Sequence, residues 1–117
     1  MKKIYHLSTC TTCQRILKEL SPLSEFELQD IKTKPITPRQ LDEMRQLAGN
    51  YEALFSRRAM LYKARNLGEE QLGEADYKDL ILDHYTFLKR PVILFNGSIF
   101  IGNSSKVVEA AKQAILF

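Results

Sequence analysis

Ile4-Tyr5-His6-Leu7-Ser8-Thr9-Cys10-Thr11-Thr12-Cys13 changes its hydrophobic period in the middle. Ile4 to Leu7 is a short β-type run and predicts a first strand. Ser8 and Thr9 offer capping hydroxyls, and Ile16, Leu17 and Leu20 then recur at helical spacing, predicting a helix over about 11–20. Pro22 ends it, because proline cannot continue a helical ladder. The strand-to-helix turn therefore carries Cys10 and Cys13, the only two cysteines of the 117 residues. Three residues apart at the start of a helix, their sulfurs share one face and are close enough to bridge.

A helix N-terminus presents amide groups without intrahelical acceptors, and its dipole favours negative charge. A cysteine placed there is stabilised as thiolate, the nucleophilic form. Cys10 is thus the expected attacking residue, with the hydroxyls of Thr11 and Thr12 available for further hydrogen bonds. Cys13, one turn in, is expected to be less exposed and to attack a sulfur already bonded at Cys10, leaving a Cys10–Cys13 disulfide. Other uses of such a pair compete with this one. Cysteines also serve as small buried apolar residues. A zinc site would need His6 and His84, which do not fall at the spacing of zinc modules. Haem attachment needs a histidine directly after the second cysteine, where Gln14 stands.

Working outward, Phe26-Glu27-Leu28 with Ile31 predicts a second strand. Lys34 to Pro38 reads as an extended connector in which Thr37 caps a helix with Pro38 at its first position. That helix continues through Leu41, Met44, Leu47 and Ala48 and closes at Gly49-Asn50. Residues 51–88 read as further helix: a short piece at Tyr51, Leu54 and Phe55, a second from Ala59 to Asn66 stopped near Gly68, and a third capped by Asp76. The period then returns to β in Val92–Phe95 and Ser98–Ile101, two apolar runs around Asn96-Gly97, a strong hairpin signal. Ser104-Ser105 caps a last helix with Val107, Val108, Ala111 and Ile115. The order β-α-β, helical block, β-β-α predicts an α/β protein with a mixed four-stranded sheet. We expect one domain over 1–117 with a helical insertion at about 38–88. A CxxC at the first strand-to-helix turn in this order resembles the thioredoxin superfamily.

Composition bounds the function. Apolar residues make up 44% and charged residues 26%, as in ordinary globular proteins. A formal charge of +3 is too small to argue for direct nucleic-acid binding, while leaving anionic substrates open. No apolar run approaches the roughly 20 residues of a membrane span, and Ile4 to Leu7 is too short for a signal-peptide core. Cytoplasm is the expected location, where an oxidised CxxC is transient, catalytic or sensory. No bound metal or organic cofactor is expected.

Two further segments carry arginines suited to gripping a tetrahedral oxyanion through paired N–H groups: Arg57-Arg58 and Arg90-Pro91. With Gly102-Asn103-Ser104-Ser105 after the hairpin, they bring the chain close to a known family. Tyr5-His6-Leu7-Ser8-Thr9-Cys10, Leu54-Phe55-Ser56-Arg57-Arg58, Lys89-Arg90-Pro91-Val92-Ile93-Leu94 and Ile101-Gly102 resemble the arsenate reductase/Spx family of thioredoxin-like proteins, glutaredoxin-coupled class, over nearly the whole chain. The resemblance implies Cys10 as the nucleophile that attacks arsenic, and Arg90 with Arg58 (Arg57 as the alternative) as oxyanion holders. It implies a cis bond before Pro91, and glutathione–glutaredoxin or thioredoxin as electron donors. The chain departs from the arsenate reductases in two places. Asn103 stands where they carry a third arginine, and Cys13 adds a second cysteine to the first turn. Both features resemble the Spx branch, redox-sensing transcription regulators that bind the C-terminal domain of the RNA polymerase α subunit. The expectation is a thiol-disulfide oxidoreductase acting on arsenate or another thiol-reactive substrate, with an Spx-like regulator as the alternative.

Overall fold

A computed structural model describes residues 1–117, which divide into two compact units: Met1–Lys34 with Arg90–Phe117, and Pro35–Lys89.

The first unit is built on a four-stranded sheet in the order β2-β1-β3-β4, from β1 (Lys2–His6), β2 (Glu27–Asp30), β3 (Val92–Phe95) and β4 (Ser98–Ile101). β1 pairs parallel with β2 and antiparallel with β3, and β3 pairs antiparallel with β4, so the sheet is mixed as expected. The β3–β4 turn has Asn96 and Gly97 at φ 48° and 90°, the left-handed pair that matches the twist of a tight hairpin. Helix α1 (Thr11–Glu19) crosses from β1 to β2, and the C-terminal helix (Ser105–Leu116) follows β4. Alternation along the strands sends Ile4 and Ile93 to the helical face. There they pack with Ile16, Leu17 and Leu20 of the first helix region and Ala111 of the last, and Leu23, Phe26, Phe100, Val108 and Ile115 close the margin. Ser104 caps the last helix through the Val107 N–H.

One detail differs from expectation. Cys10 itself occupies the N-cap of α1, so neither Ser8 nor Thr9 caps it; the N–H of Ser8 is instead 3.3 Å from the Asp30 carboxylate. The helix ends at Glu19, before Pro22 as expected; the Arg90–Pro91 bond is cis, as the resemblance implied, and Ser21–Pro22 is cis as well.

The second unit is helical. Its α2 (Pro38–Ala48) begins with Thr37 and Gln40 bonding reciprocally, the capping box that Thr37-Pro38 announced. Gly49 ends it at φ 98°, a conformation that favours glycine. Short 3-10 turns at Glu52–Leu54, Leu67–Glu69 and Tyr85–Phe87 separate α3 (Met60–Ala64) and α4 (Glu74–Asp83). The expected stop of α3 near Gly68 falls earlier, at left-handed Asn66. Helix α4 begins at Glu74 rather than at Asp76, because the Asp76 carboxylate reaches back to the Gly73 N–H at 2.8 Å. Phe55 centres the interior, stacked on Phe87 at 5.4 Å and tilted against Tyr77 at 4.9 Å. The main chain closes around it through Ser56 N–H to Phe87 O and Lys89 N–H to Leu54 O. With α3, α4 and the C-terminal helix, α5 (Ser105–Leu116), the chain has five α-helices. None of them is long and apolar enough to cross a membrane.

Candidate active site

Cys10 and Cys13 occupy chemically different positions within one turn of α1. Cys10 is half-buried at the N-cap, and Cys13 is fully buried. Partial burial alone would push the Cys10 thiol up. The main-chain N–H of Cys13, the Cys13 thiol, the Arg90 charge and the main-chain N–H of Thr12 outweigh it and hold Cys10 below the ordinary thiol range. The amides approach the sulfur without completing a cap hydrogen bond of normal geometry. Cys13 goes the other way. Burial, reinforced by the negative charge and hydrogen bond of Cys10, pushes it up to about 12, against smaller help from the Leu7 N–H and Arg90. The turn thus holds one thiol poised to ionise and one kept protonated.

The loop before the helix is tied to β1. The Cys10 N–H donates to the Leu7 carbonyl at 3.0 Å. Gln14, whose place directly after the second cysteine rules out haem attachment, donates its side-chain amide to the same carbonyl at 3.1 Å and lies 3.5 Å from His6 Nδ1. His6 is paired on its other side with Asp30 of β2, whose following Ile31 N–H bonds the His6 carbonyl.

Arg90 precedes the buried cis Pro91 and is near enough to Cys10 and Cys13 to act on both charges. Pro91 O accepts the Gly102 N–H at 2.9 Å, with Gly102 at φ 91°, so the turn after β4 is fastened to the Arg90–Pro91 segment. Asn103 follows in this turn and is exposed. Thr11 is exposed, and Thr12 reaches Cys10 through its main-chain N–H.

The two arginines of the helical unit separate clearly. Arg57 donates to Glu52 at 2.7 Å and to the Tyr77 hydroxyl at 2.8 Å, and its guanidinium lies over the Phe55 and Tyr77 rings. It braces its own unit. Arg58 is exposed in the turn before α3 and forms no ion pair. His84 is a turn residue whose Nδ1 accepts the Thr86 N–H.

A strand–CxxC–helix turn facing a cis-proline loop, on a β-α-β…β-β-α sheet, defines a thioredoxin-like thiol protein. The ArsC family model matches residues 5–111, and the chain belongs to the ArsC family. It is 30% identical over 118 residues to an arsenate reductase of Neisseria meningitidis serogroup A, covering 92% of this chain and 95% of that protein. In fold it is similar to the arsenate reductase from Vibrio cholerae, with a TM-score of 0.73 at 23% identity, covering 97% of this chain and 96% of the other. An arsenate reductase-related protein from Brucella melitensis gives 0.68 at 21%, covering 93% and 92%.

Proposed function

We propose that the protein is a thiol-disulfide oxidoreductase that reduces arsenate or a related thiol-reactive species, with Cys10 as nucleophile and Cys13 as resolving thiol. The observation that carries this reading is the asymmetry of the pair: a half-exposed sulfur at a helix N-terminus and a buried one a turn behind it.

For arsenate, the Cys10 thiolate displaces an arsenic-bound oxygen as water and forms an S–As(V) bond. The Cys10 charge is thereby consumed, which removes one of the effects that keep Cys13 protonated. Cys13 then loses its proton to solvent and attacks the Cys10 sulfur. The S–As bond breaks, its electron pair leaves with arsenic as arsenite, and the two thiols are oxidised to the Cys10–Cys13 disulfide. An external dithiol or glutathione, delivered through glutaredoxin or thioredoxin, restores the pair. Arg90 holds the oxyanion and stabilises charge on both sulfurs. The family resemblance suggests Arg58, with Arg57 as the alternative, as a second oxyanion holder, and Arg57 is already committed to Glu52 and Tyr77. The cytoplasm, where thiols are kept reduced, suits this cycle.

A second reading is favoured by Asn103, which leaves the turn after β4 without a cation. On it, the pair is the sensor of an Spx-type regulator, disulfide formation reshapes the start of α1, and the partner is the RNA polymerase α C-terminal domain. Arsenate-dependent NADPH oxidation, coupled through glutaredoxin or through thioredoxin, separates the two. Turnover that disappears in Cys10→Ser supports the reductase. No turnover with either donor, from a protein whose disulfide still forms and reduces, favours the regulator.

A further inference from the structure

Three groups converge on Leu7, the buried residue between β1 and the cysteine turn. Its carbonyl accepts the Cys10 N–H at 3.0 Å and Gln14 Nε2 at 3.1 Å. Its N–H is near enough to the Cys13 sulfur to favour that thiolate, against the burial that keeps the thiol protonated. A carbonyl oxygen has two lone pairs, and here both are used by the segment that carries the cysteines. Gln14 adds a second tether, since its main-chain N–H bonds the Cys10 carbonyl at 3.1 Å while its side chain turns back to the strand end. Its amide also reaches His6 Nδ1 at 3.5 Å, a contact that the tautomer with Nδ1 unprotonated accepts.

We propose that Gln14 is a positioning residue for the Cys10–Cys13 pair: its side-chain amide clamps the Leu7 carbonyl, and through that peptide fixes where the two sulfurs lie relative to each other and to the start of α1. The proposal rests on the reading of the pair as attacker and resolver. The side chain suits the task in two respects. It is long enough to span from the first turn of α1 to Leu7, and it is neutral, so it adds no negative charge beside a thiolate. Methionine at this position keeps the length and loses the donors. Glutamate sets a carboxylate against the Leu7 carbonyl.

The test uses the full chain, reduced and then mixed with excess 5,5′-dithiobis(2-nitrobenzoate). The Cys10 thiolate displaces one thionitrobenzoate and forms a mixed disulfide. Cys13, losing its proton to solvent, displaces the second and closes the Cys10–Cys13 bond, the reagent taking up the two electrons. The second release therefore times the approach of Cys13. In parallel, the pH midpoint of iodoacetamide alkylation at Cys10 reports its hold on the helix N-terminus. In Gln14→Met the second release slows about fivefold to tenfold, the effect of one lost hydrogen bond, and the Cys10 midpoint moves up. In Gln14→Glu the midpoint moves up further. Thermal melting accompanies both variants. A lowered melting temperature with wild-type release and wild-type midpoint would make Gln14 merely structural and overturn the assignment, as would no change at all. A wild type that releases a single equivalent would contradict the attacker-and-resolver reading instead. The Gln14→Met midpoint then decides the assignment alone: a rise supports it and an unchanged value overturns it.

Discussion

The two units use the same residue types for opposite ends. In the sheet unit the core is aliphatic, Ile4, Ile16, Leu20 and Ile93, and the polar chemistry gathers in the turns that leave the strands: Cys10 after β1, Arg90 before β3, Gly102 after β4. In the helical unit the interior is aromatic, Phe55 against Phe87 and Tyr77, and the charges brace it: Arg57 to Glu52 and Tyr77, Arg65 to Asp83, Lys78 and Tyr51 to Asp42. An arginine is thus committed to structure in one unit and left beside a thiol in the other. On the proposed reading, proximity to the nucleophile, more than residue type, separates a functional arginine from a brace.

Mutation can break this contrast at several points. The largest effect is expected at the nucleophile: Cys10→Ser reduces turnover in the coupled assay to background while the melting temperature stays near wild type. Phe55→Ala removes the hub of the aromatic interior and costs about 3–5 kcal/mol in urea denaturation. Arg90→Lys keeps the charge but loses the planar fork, and kcat/KM for the oxyanion substrate falls roughly 10²-fold with little loss of stability. Arg57→Ala does the reverse. Stability drops by about 1 kcal/mol, discounted for the exposure of its ion pair, and kinetics stay unchanged. Of similar size, Thr37→Ala removes the cap of α2 and costs about 1 kcal/mol, read from the denaturation midpoint. If Arg57→Ala lowered turnover as far as Arg90→Lys, the division between brace and site would fail.

Much of the sheet unit is legible in the sequence. A change from β to helical period across Leu7–Cys10 marks the first turn, Asn96-Gly97 demands a left-handed hairpin, and Thr37-Pro38 with Gln40 spells a helix start. These signals are local, carried by residues within a few positions of one another. The misreadings share a different cause. Asp76 looks like a cap, yet its side chain bends back three residues to Gly73. The Ser8 and Thr9 hydroxyls look available, yet the helix starts after them, at Thr11 with Cys10 as its N-cap. Arg57 and Tyr77 are 20 positions apart, and nothing in either neighbourhood announces their bond. Gln14 passes for an ordinary helix residue because its partners belong to the preceding strand end. The signal that was available is its place directly after the second cysteine, where a side chain on the first turn of the helix can reach back over the nucleophile loop.

The division of labour between the two thiols is tested most directly by alkylation rate against pH in two single-cysteine proteins, Cys13→Ser and Cys10→Ser. A depressed thiol pKa means thiolate persists to lower pH, and a raised one means it forms only at higher pH. Cys10 should therefore react with a midpoint below that of an ordinary thiol and reach a plateau above it. Cys13 should stay nearly inert through neutral pH and gain reactivity only toward strongly alkaline solution. Equal midpoints near the ordinary value, or a Cys13 that reacts first, would contradict the account.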